Sequence, residues 1–365
     1  MHRSIIRPEI QDFKPYSPGL SIEEIKERYN LPTVIKMASN ENPLGTSPLV
    51  QRVIKKQAGF SFRYPRPGSP ELTKAIAQRY NLPQQDIVLG NGSDEIIDLL
   101  IRVTAHPDKD NIIICQPSFS IYRMQARLCG VELRKVPLNN DFSFPWSDLL
   151  KSSDEQTKLV FVTNPDNPSG HAAHVQDILA FASQLPQNCL LVLDEAYMEF
   201  ADPQDEFSPL PQWSKTENIV CLRTFSKMYG LAGLRLGYGL MPPWLSEALL
   251  KVKLPFSVNI LAEQAGIASL EDKEFSQLVF ETIKHERTYL KKELARLNCT
   301  TFPSQANFLM FRPPIPAKQV FERLLAQGII IRPLDSYGLS DFIRVSIGNE
   351  NENRVFIKAM ESIIC

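Results

Sequence analysis

The sequence predicts an α/β fold in which a large domain, with a mostly parallel sheet flanked by helices, is joined to a smaller α/β domain. Short apolar runs rich in β-branched residues alternate with amphipathic stretches, a pattern typical of parallel sheets covered by helices. The pattern changes after about residue 260, and 365 residues are enough for two domains. We expect an N-terminal segment (1–45) that packs with the small domain, a large domain (46–260), and a small domain from 261–365.

Two helices near the N-terminus are predicted from the residues at their ends. In "SIEEIKERYN", Ser21 is expected to cap the helix, and Glu24 would complete a capping box. In "GSPELTKAIAQRYN", Ser69 is expected as the cap and Pro70 as the first helical residue. Both segments end in Asn followed by Leu-Pro, which predicts that each helix stops at the asparagine.

Four apolar runs have the length of strands that are buried on both faces. Each ends in polar residues: "NIIICQP" (111–117), "KLVFVTNP" (158–165), "NCLLVLDEAY" (188–197) and "NIVCLRTFSK" (218–227). Parallel sheets bind ligands at the carboxyl ends of their strands. The sequence therefore predicts a site at this edge of the sheet.

The last hundred residues predict the smaller domain. "FSQLVFETIKHERTYLKKELARLN" has the period of a long amphipathic helix. The segments that follow predict a strand, a helix and two further strands: "ANFLMFRP", "QVFERLLAQGIIIRP" and "DFIRVSIG".

Composition excludes several classes of function. The chain has 40 basic and 41 acidic residues, which argues against a nucleic-acid or anionic-membrane partner. It has neither an apolar run of membrane-spanning length nor a secretory signal pattern, and its six cysteines include no CxxC pair; we expect a cytoplasmic protein with reduced thiols. His171 and His174 have no further ligand cluster around them, so no metal site is predicted.

The polar residues at the predicted strand ends form a chemically coherent set. Pyridoxal phosphate needs an amine for covalent attachment, a carboxylate for its ring nitrogen, donors for its ring oxygen and an anion site for its phosphate. The sequence supplies candidates for each requirement: Lys227; Asp194; Asn167 and Tyr197; and Thr224, Ser226 and Arg235 with the helix start at Gly92, Ser93 and Asp94.

The chain resembles the aspartate-aminotransferase superfamily of pyridoxal-phosphate enzymes (fold type I), and within it the histidinol-phosphate aminotransferase family. The matching segments occur in family order over almost the whole chain: "NENPLG", "YPRPG", "GNGSDEIID", "NPDNPSG", "DEAYMEF", "RTFSKMYGLAGLRLGY", "PFSVN", "ANF" and "IRVSIGNENEN". Any one segment alone is weak evidence for the family, whereas the whole set in this order is specific to it.

The resemblance implies roles for the residues around the cofactor ring. Lys227 would make the covalent link and move the proton, and Asp194 would pair with the ring nitrogen. Asn167 and Tyr197 would bond the ring oxygen, and Phe119 would stack on the ring face, where many members have Tyr. The alternatives are a surface lysine, an ion-paired or capping aspartate, turn structure in "NPDNPSG", and a core phenylalanine.

The resemblance also assigns the cofactor phosphate. Arg235, Thr224, Ser226 and the backbone amides near Ser93 would bind it, because arginine and helix N-termini both suit phosphate. Asp94 would repel phosphate, and we expect its side chain to point away or to cap the helix.

A homodimer is implied by Tyr64, which matches the family tyrosine that reaches the phosphate in the neighbouring subunit. Most members continue "YPD" where this chain has Arg66.

Substrate anions are expected at arginines of the small domain. Arg344 matches the family arginine that binds the substrate's anionic group, and Arg332 lies twelve residues earlier, where a surface ion pair is the alternative. Tyr16 and Asn42 lie in segments that cross the substrate site in relatives.

The expected reaction is amino transfer from L-histidinol phosphate to 2-oxoglutarate. An aromatic amino acid or arogenate donor stays open, because one arginine serves a carboxylate or a phosphate. A threonine-phosphate decarboxylase is a further alternative. A non-enzymatic binding protein is disfavoured because Lys227, Asp194 and Arg235 are all present.

Overall fold

The described part of the chain is dominated by one large twisted sheet with helices on its faces. A computed structural model describes residues 5–7, 10, 13, 19–215 and 217–364. Within these residues the strands are β1 (Ile35–Lys36), β2 (Ile87–Asn91), β3 (Asn111–Gln116), β4 (Glu132–Pro137), β5 (Thr157–Thr163), β6 (Leu190–Asp194), β7 (Ile219–Thr224), β8 (Leu236–Leu240), β9 (Thr300–Thr301), β10 (Phe308–Arg312), β11 (Ile329–Ile330), β12 (Arg332–Leu334) and β13 (Leu339–Ser346).

The helices connect these strands and cover the sheets. In the same residues they are α1 (Ile22–Tyr29), α2 (Pro48–Gln57), α3 (Pro70–Tyr80), α4 (Ser93–Thr104), α5 (Ser120–Cys129), α6 (Trp146–Lys151), α7 (Val175–Ala182), α8 (Pro243–Val252), α9 (Ile260–Glu271), α10 (Lys273–Arg296), α11 (Ala317–Ala326) and α12 (Glu350–Ile364). None of them is both long and apolar enough to cross a membrane.

The large sheet confirms the predicted α/β class. Across the described residues its strands follow the order β2-β8-β7-β6-β5-β3-β4. All neighbours are parallel except β8, which runs antiparallel to both β2 and β7. Every residue of β6 and β7 is buried, which explains why their sequences are continuous apolar runs without alternation.

The C-terminal part forms its own sheet, in the order β12-β13-β10-β9. The predicted strand, helix and two strands are present here, and α10 is the predicted long helix. β1 pairs in parallel with β11, so the N-terminal segment joins the C-terminal part of the chain. This pairing agrees with the predicted grouping of residues 1–45 with 261–365, while the domain boundaries stay a prediction.

Both predicted helices end where expected, but their predicted starts are confirmed only in part. The Glu24 carboxylate accepts from Arg28 at 2.6 Å and, among the described residues, does not complete the capping box. Ser21 accepts a hydrogen bond from the Glu24 amide at 3.0 Å, and Asn30 and Asn81 end their helices in left-handed conformations. Ser69 is different: its backbone is left-handed, with φ of 45°, and its side chain makes no cap bond. The predicted Ser69 cap was therefore wrong, although Pro70 does begin the helix.

Candidate active site

Three neighbouring strand ends bring the first polar side chains together. Thr163 ends β5 and lies beside Asp194, which ends β6, in the parallel register. Thr224 ends β7 next to them. The loops after these strands carry Asn167, Tyr197 and Lys227, so the predicted edge of the sheet holds the predicted residues.

Lys227 lies partly buried, and the net effect of its surroundings disfavours its charge. Its Nζ donates to the carbonyl of Ser39 at 3.1 Å and lies 5.9 Å from the centre of the Tyr197 ring. Burial is the largest cause that lowers the pKa of Lys227 to about 8, and the positive charge of Arg344 is the next. A useful fraction of this amine is therefore neutral and nucleophilic near neutral pH.

Asp194 is a buried carboxylate that lacks an ion-pair partner within the part of the chain that the structure describes. The Tyr122 hydroxyl donates to its Oδ2 at 2.6 Å, and the Ala196 amide donates to Oδ1 at 3.2 Å. Burial raises the pKa of Asp194 to about 6, against the lowering effect of the Tyr122 bond. A lone buried carboxylate is costly unless a cation meets it, and a protonated ring nitrogen fits that requirement.

Tyr197 stands at the centre of a set of amide donors. Its hydroxyl accepts hydrogen bonds from Nδ2 of Asn40 at 3.2 Å and of Asn167 at 3.3 Å. Burial raises the pKa of Tyr197 to about 12, which keeps the phenol protonated. Asn167 and Tyr197 therefore lie together as predicted, with Asn40 as an additional member.

Arg344 reaches the same cluster from β13. Its guanidinium donates to Oδ1 of Asn167 and to the carbonyl of Ala38 at 2.9 Å, and it lies 5.2 Å from the centre of the Phe308 ring. The side chain is buried, and its Nε has no hydrogen-bond partner among the described residues. Arg344 is thus a buried cation held by neutral groups, with donor capacity left for an anion.

Arg332 lies directly opposite Arg344 in the antiparallel β12–β13 pair. Residues at such positions project from the same face of the sheet, and like charges there repel each other. Arg332 also lines a cavity of about 390 Å³ together with Phe119. The two arginines and the predicted stacking residue therefore belong to one region.

The predicted phosphate site forms around the start of α4. Arg235 donates to Oγ of Ser226 at 3.4 Å and to the carbonyl of Ala232 at 3.2 Å. A Cβ added at Gly92, whose φ is +74°, would lie 2.4 Å from Nη2 of Arg235. A Cβ at Gly237 would lie 2.4 Å from the Ser93 amide. These glycines let the arginine and the helix start approach each other closely.

Thr224 and Asp94 complete this corner in different ways. The Thr224 hydroxyl donates to the Leu236 carbonyl at 3.4 Å and accepts from the Ser226 amide at 3.1 Å. Asp94 neither points away nor caps α4, contrary to our expectation; its carboxylate lies 3.3 Å from Nη2 of Arg235. The positive charge of Arg235 attracts the Asp94 carboxylate and so holds it at the predicted phosphate site.

The assembled residues fit pyridoxal phosphate. A partly neutral lysine, a buried carboxylate and a phenol held by two amides lie close together at this edge of the sheet. An arginine lies beside a helix N-terminus that has no side-chain cap, which suits a phosphate. Phe119 precedes α5, and its ring meets the Tyr122 ring edge-on at 5.7 Å.

Two predicted residues, Asn42 and Tyr64, lie apart from this cluster. The Asn42 amide donates to the Met228 carbonyl at 2.7 Å, and its oxygen accepts from the Leu44 amide, so it fixes a loop. Tyr64 is 81% exposed and stacks on Phe256 at 4.8 Å. Tyr16 lies outside the described residues.

Sequence reasoning missed two contributors, Asn40 and Tyr122. Asn40 is the first residue of the "NENPLG" segment and lies two residues before Asn42, and only the fold shows which asparagine faces Tyr197. Tyr122 follows Phe119 by three residues, a helical spacing that could have indicated a shared face.

Comparison with known proteins agrees with this geometry. Residues 32–360 match the family model described as aminotransferase class I and II. The histidinol-phosphate aminotransferase of Nitratidesulfovibrio vulgaris strain Hildenborough is 53% identical, over 98% of this chain and 96% of the relative. That of Shouchella clausii is 39% identical, over 99% and 97%.

Solved structures show the same fold. The histidinol-phosphate aminotransferase from Sinorhizobium meliloti, in complex with pyridoxal-5'-phosphate, superposes with a TM-score of 0.88 at 27% identity, covering 99% of this chain and 98% of that one. The L-threonine-O-3-phosphate decarboxylase from Porphyromonas gingivalis has a TM-score of 0.79 at 22% identity, covering 90% and 99%. At that identity the second likeness concerns the fold alone.

Proposed function

We propose that this chain, which belongs to the class I and II aminotransferase family, transfers the amino group of L-histidinol phosphate to 2-oxoglutarate. The products would be imidazole-acetol phosphate and L-glutamate, in histidine biosynthesis. The cofactor is pyridoxal 5'-phosphate. The observation that carries the choice of substrate is the cross-strand pair Arg332–Arg344 beside the Lys227 cluster, in a chain 53% identical to a histidinol-phosphate aminotransferase.

Bound pyridoxal phosphate supplies an electron sink for the charge left when the donor's α-proton is removed. Lys227 provides the covalent attachment and, once released, takes and returns that proton at Nζ, which a pKa of about 8 allows. Asp194 holds the proton on the ring nitrogen. Tyr197 and Asn167 orient the ring oxygen.

The paired arginines favour a phosphate monoester. Directly opposed like charges destabilise a sheet, and a bound dianion converts this repulsion into attraction. The planar forks of Arg332 and Arg344 can each donate two charge-assisted hydrogen bonds to its oxygens. A single carboxylate would neutralise only half of the same charge.

A single half-reaction tests this function. The purified protein is loaded with pyridoxal phosphate and mixed separately with histidinol phosphate or phenylalanine, without keto acid. The absorbance of the lysine-bound cofactor is then followed. We expect rapid loss with histidinol phosphate and recovery after 2-oxoglutarate is added.

Each other outcome overturns a named part of the proposal. Faster loss with phenylalanine would make the enzyme an aromatic aminotransferase. Release of carbon dioxide from threonine phosphate, with no need for 2-oxoglutarate, would make it a decarboxylase. Failure to form any lysine-bound cofactor would remove the catalytic role of Lys227.

We further propose a homodimer in which Tyr64 reaches the neighbouring site. Exposed apolar side chains near it in sequence or space support this: Phe60, Phe62, Leu250, Leu254 and Phe256. The test mixes Tyr64→Ala with Lys227→Ala, two variants expected to be nearly inactive alone. Subunit exchange should restore about a quarter of wild-type activity, because half of the subunits pair as heterodimers with one intact site. No recovery after proven exchange would refute the shared site.

We propose a cytoplasmic location. The support is that the described cysteines, Cys115, Cys129, Cys189, Cys221 and Cys299, are all free, as expected in a reducing compartment. Cell fractionation with an antibody against the chain tests this, and recovery from an oxidising compartment would contradict it.

A further inference from the structure

The carboxylate of Asp194 is supported by a chain of two hydroxyl groups. The Tyr122 hydroxyl lies 2.6 Å from Oδ2 of Asp194 and 2.9 Å from Oγ1 of Thr163. Tyr122 has one hydroxyl hydrogen, and an ionised carboxylate can only accept. Tyr122 therefore donates to Asp194, and Thr163 donates to Tyr122.

Packing fixes the Tyr122 hydroxyl in this position. The side chain is fully buried. Its ring stacks on Phe161 at 4.8 Å with an interplanar angle of 20°, and the Phe119 ring meets it at 5.7 Å and 84°. The hydroxyl therefore cannot move away from Asp194 unless the Tyr122 ring gives up its contacts with Phe161 and Phe119. The same tyrosine thus contacts both the carboxylate and the residue predicted to stack on the cofactor ring.

This chain of donors controls how strongly Asp194 attracts a proton. A hydrogen bond to the charged form stabilises a carboxylate, whereas burial disfavours it. The bond from Thr163 polarises the Tyr122 hydroxyl and makes it a stronger donor. Without Tyr122, Asp194 would keep one amide donor in a buried setting, and its affinity for a proton would rise.

We propose that Tyr122, backed by Thr163, is a positioning residue that keeps the shared proton on the cofactor's ring nitrogen by holding Asp194 ionised and fixed. If the affinity of the Asp194 carboxylate for a proton rises, the shared proton moves to the carboxylate and the ring loses its positive charge. The proposal rests on cofactor binding from the proposed function, but not on the identity of the substrate.

The test uses pyridoxal phosphate labelled with ¹⁵N in the ring and bound to the full-length protein. The ¹⁵N chemical shift reports whether the ring nitrogen is protonated. We expect a protonated nitrogen in the wild type, a shift toward the unprotonated value in Tyr122→Phe, and an intermediate shift in Thr163→Val. The rate kcat should fall about ten- to a hundredfold in Tyr122→Phe, the range for one hydrogen bond to a charged group, while KM changes less.

Tyr238→Phe is the matched control. It also removes one hydroxyl from a fully buried ring, and that hydroxyl bonds Tyr80 at 2.8 Å rather than Asp194. Its ¹⁵N shift should equal that of the wild type. If Tyr122→Phe does not fold, Thr163→Val carries the test, because it leaves the aromatic packing intact.

The outcomes separate this inference from the proposed function. A wild-type protein that binds no cofactor through lysine would defeat the proposed function. A wild-type protein with a protonated ring nitrogen, and unchanged ¹⁵N shifts in both Tyr122→Phe and Thr163→Val, would overturn the role of Tyr122. A change in ¹⁵N shift in Tyr238→Phe as large as that in Tyr122→Phe would also overturn it, because the change would then follow from general loosening of the core.

Discussion

Arg223 links the two central strands beneath the candidate site through a buried ionic network. Its guanidinium is 2.7 Å from Glu195 and 3.0 Å from Glu199, and it donates to Ser208 at 3.3 Å. Arg223 and both glutamates are at most 2% exposed. Glu195 directly follows Asp194, and Arg223 directly precedes Thr224, so the network fixes the strand ends that carry the site.

We expect Arg223→Met to destabilise the protein by about 3–5 kcal/mol at pH 8. This is the usual cost of removing one partner from a buried ion pair, because the other charge stays buried and uncompensated. Methionine keeps much of the volume, so the lost charge dominates. Replacing all three partners, as in Arg223→Met with Glu195→Gln and Glu199→Gln, should recover most of the loss.

The deficit should shrink as the pH falls. Burial already raises the pKa of Glu195, and Arg223 opposes that rise, so the variant raises the pKa further. An acid whose pKa is higher in the folded state binds protons more tightly there, and its destabilising effect is lost as pH falls. At pH 5.5, protonation of Glu195 therefore removes part of the buried negative charge that Arg223 no longer compensates.

Urea unfolding of the cofactor-free protein at pH 8 and pH 5.5 measures both effects. Arg296→Met is the control, because Arg296 pairs with Glu293 and Glu361 while half exposed, and ion pairs in contact with solvent contribute little to stability. A loss below about 1 kcal/mol for Arg223→Met, against the expected range, would refute the reasoning. So would a deficit that is the same at both pH values.

Three further predictions concern the site itself. Arg344→Gln should raise the pKa of Lys227 above about 8, so that labelling of this amine in the cofactor-free protein, followed by mass spectrometry, needs a higher pH; an unchanged midpoint would contradict this. Gly92→Ala should weaken pyridoxal-phosphate binding at least tenfold, because the new methyl group meets the phosphate-site arginine at a φ of +74°, whereas Gly233→Ala, which meets nothing within 4 Å, should not. Arg123→Gln, on the wall of the cavity with Arg332, should raise KM for histidinol phosphate severalfold at low salt and hardly at all at 0.5 M salt; equal effects at both would exclude electrostatic attraction.

The sequence could predict the part of the site that belongs to the sheet edge. Parallel strands share one carboxyl edge, so recognising β5, β6 and β7 was sufficient to bring Asp194 and Lys227 together. The phosphate corner followed from glycines and a helix start in the sequence. These signals are local, and the fold only has to align them.

Contacts between distant segments could not be predicted in the same way. Asn40 meets Tyr197 across 157 residues, and Arg344 meets the Ala38 carbonyl across 306. Whether Asn40 or Asn42 faces the site depends on how β1 pairs with β11, which no local pattern specifies. Ser69 shows the same limit on a small scale, since the backbone conformation before α3 removed the expected cap.

Burial favours the neutral form of both Lys227 and Asp194, and this suits the role of the lysine but not that of the aspartate. It is the largest cause of both shifts, lowering the pKa of Lys227 to about 8 and raising that of Asp194 to about 6. For the lysine this is useful, because the neutral amine is the base. For the aspartate it is harmful, because an ionised carboxylate is needed opposite the ring nitrogen. A site that excludes water for the sake of its lysine therefore requires a donor for its aspartate, and Tyr122 supplies that donor.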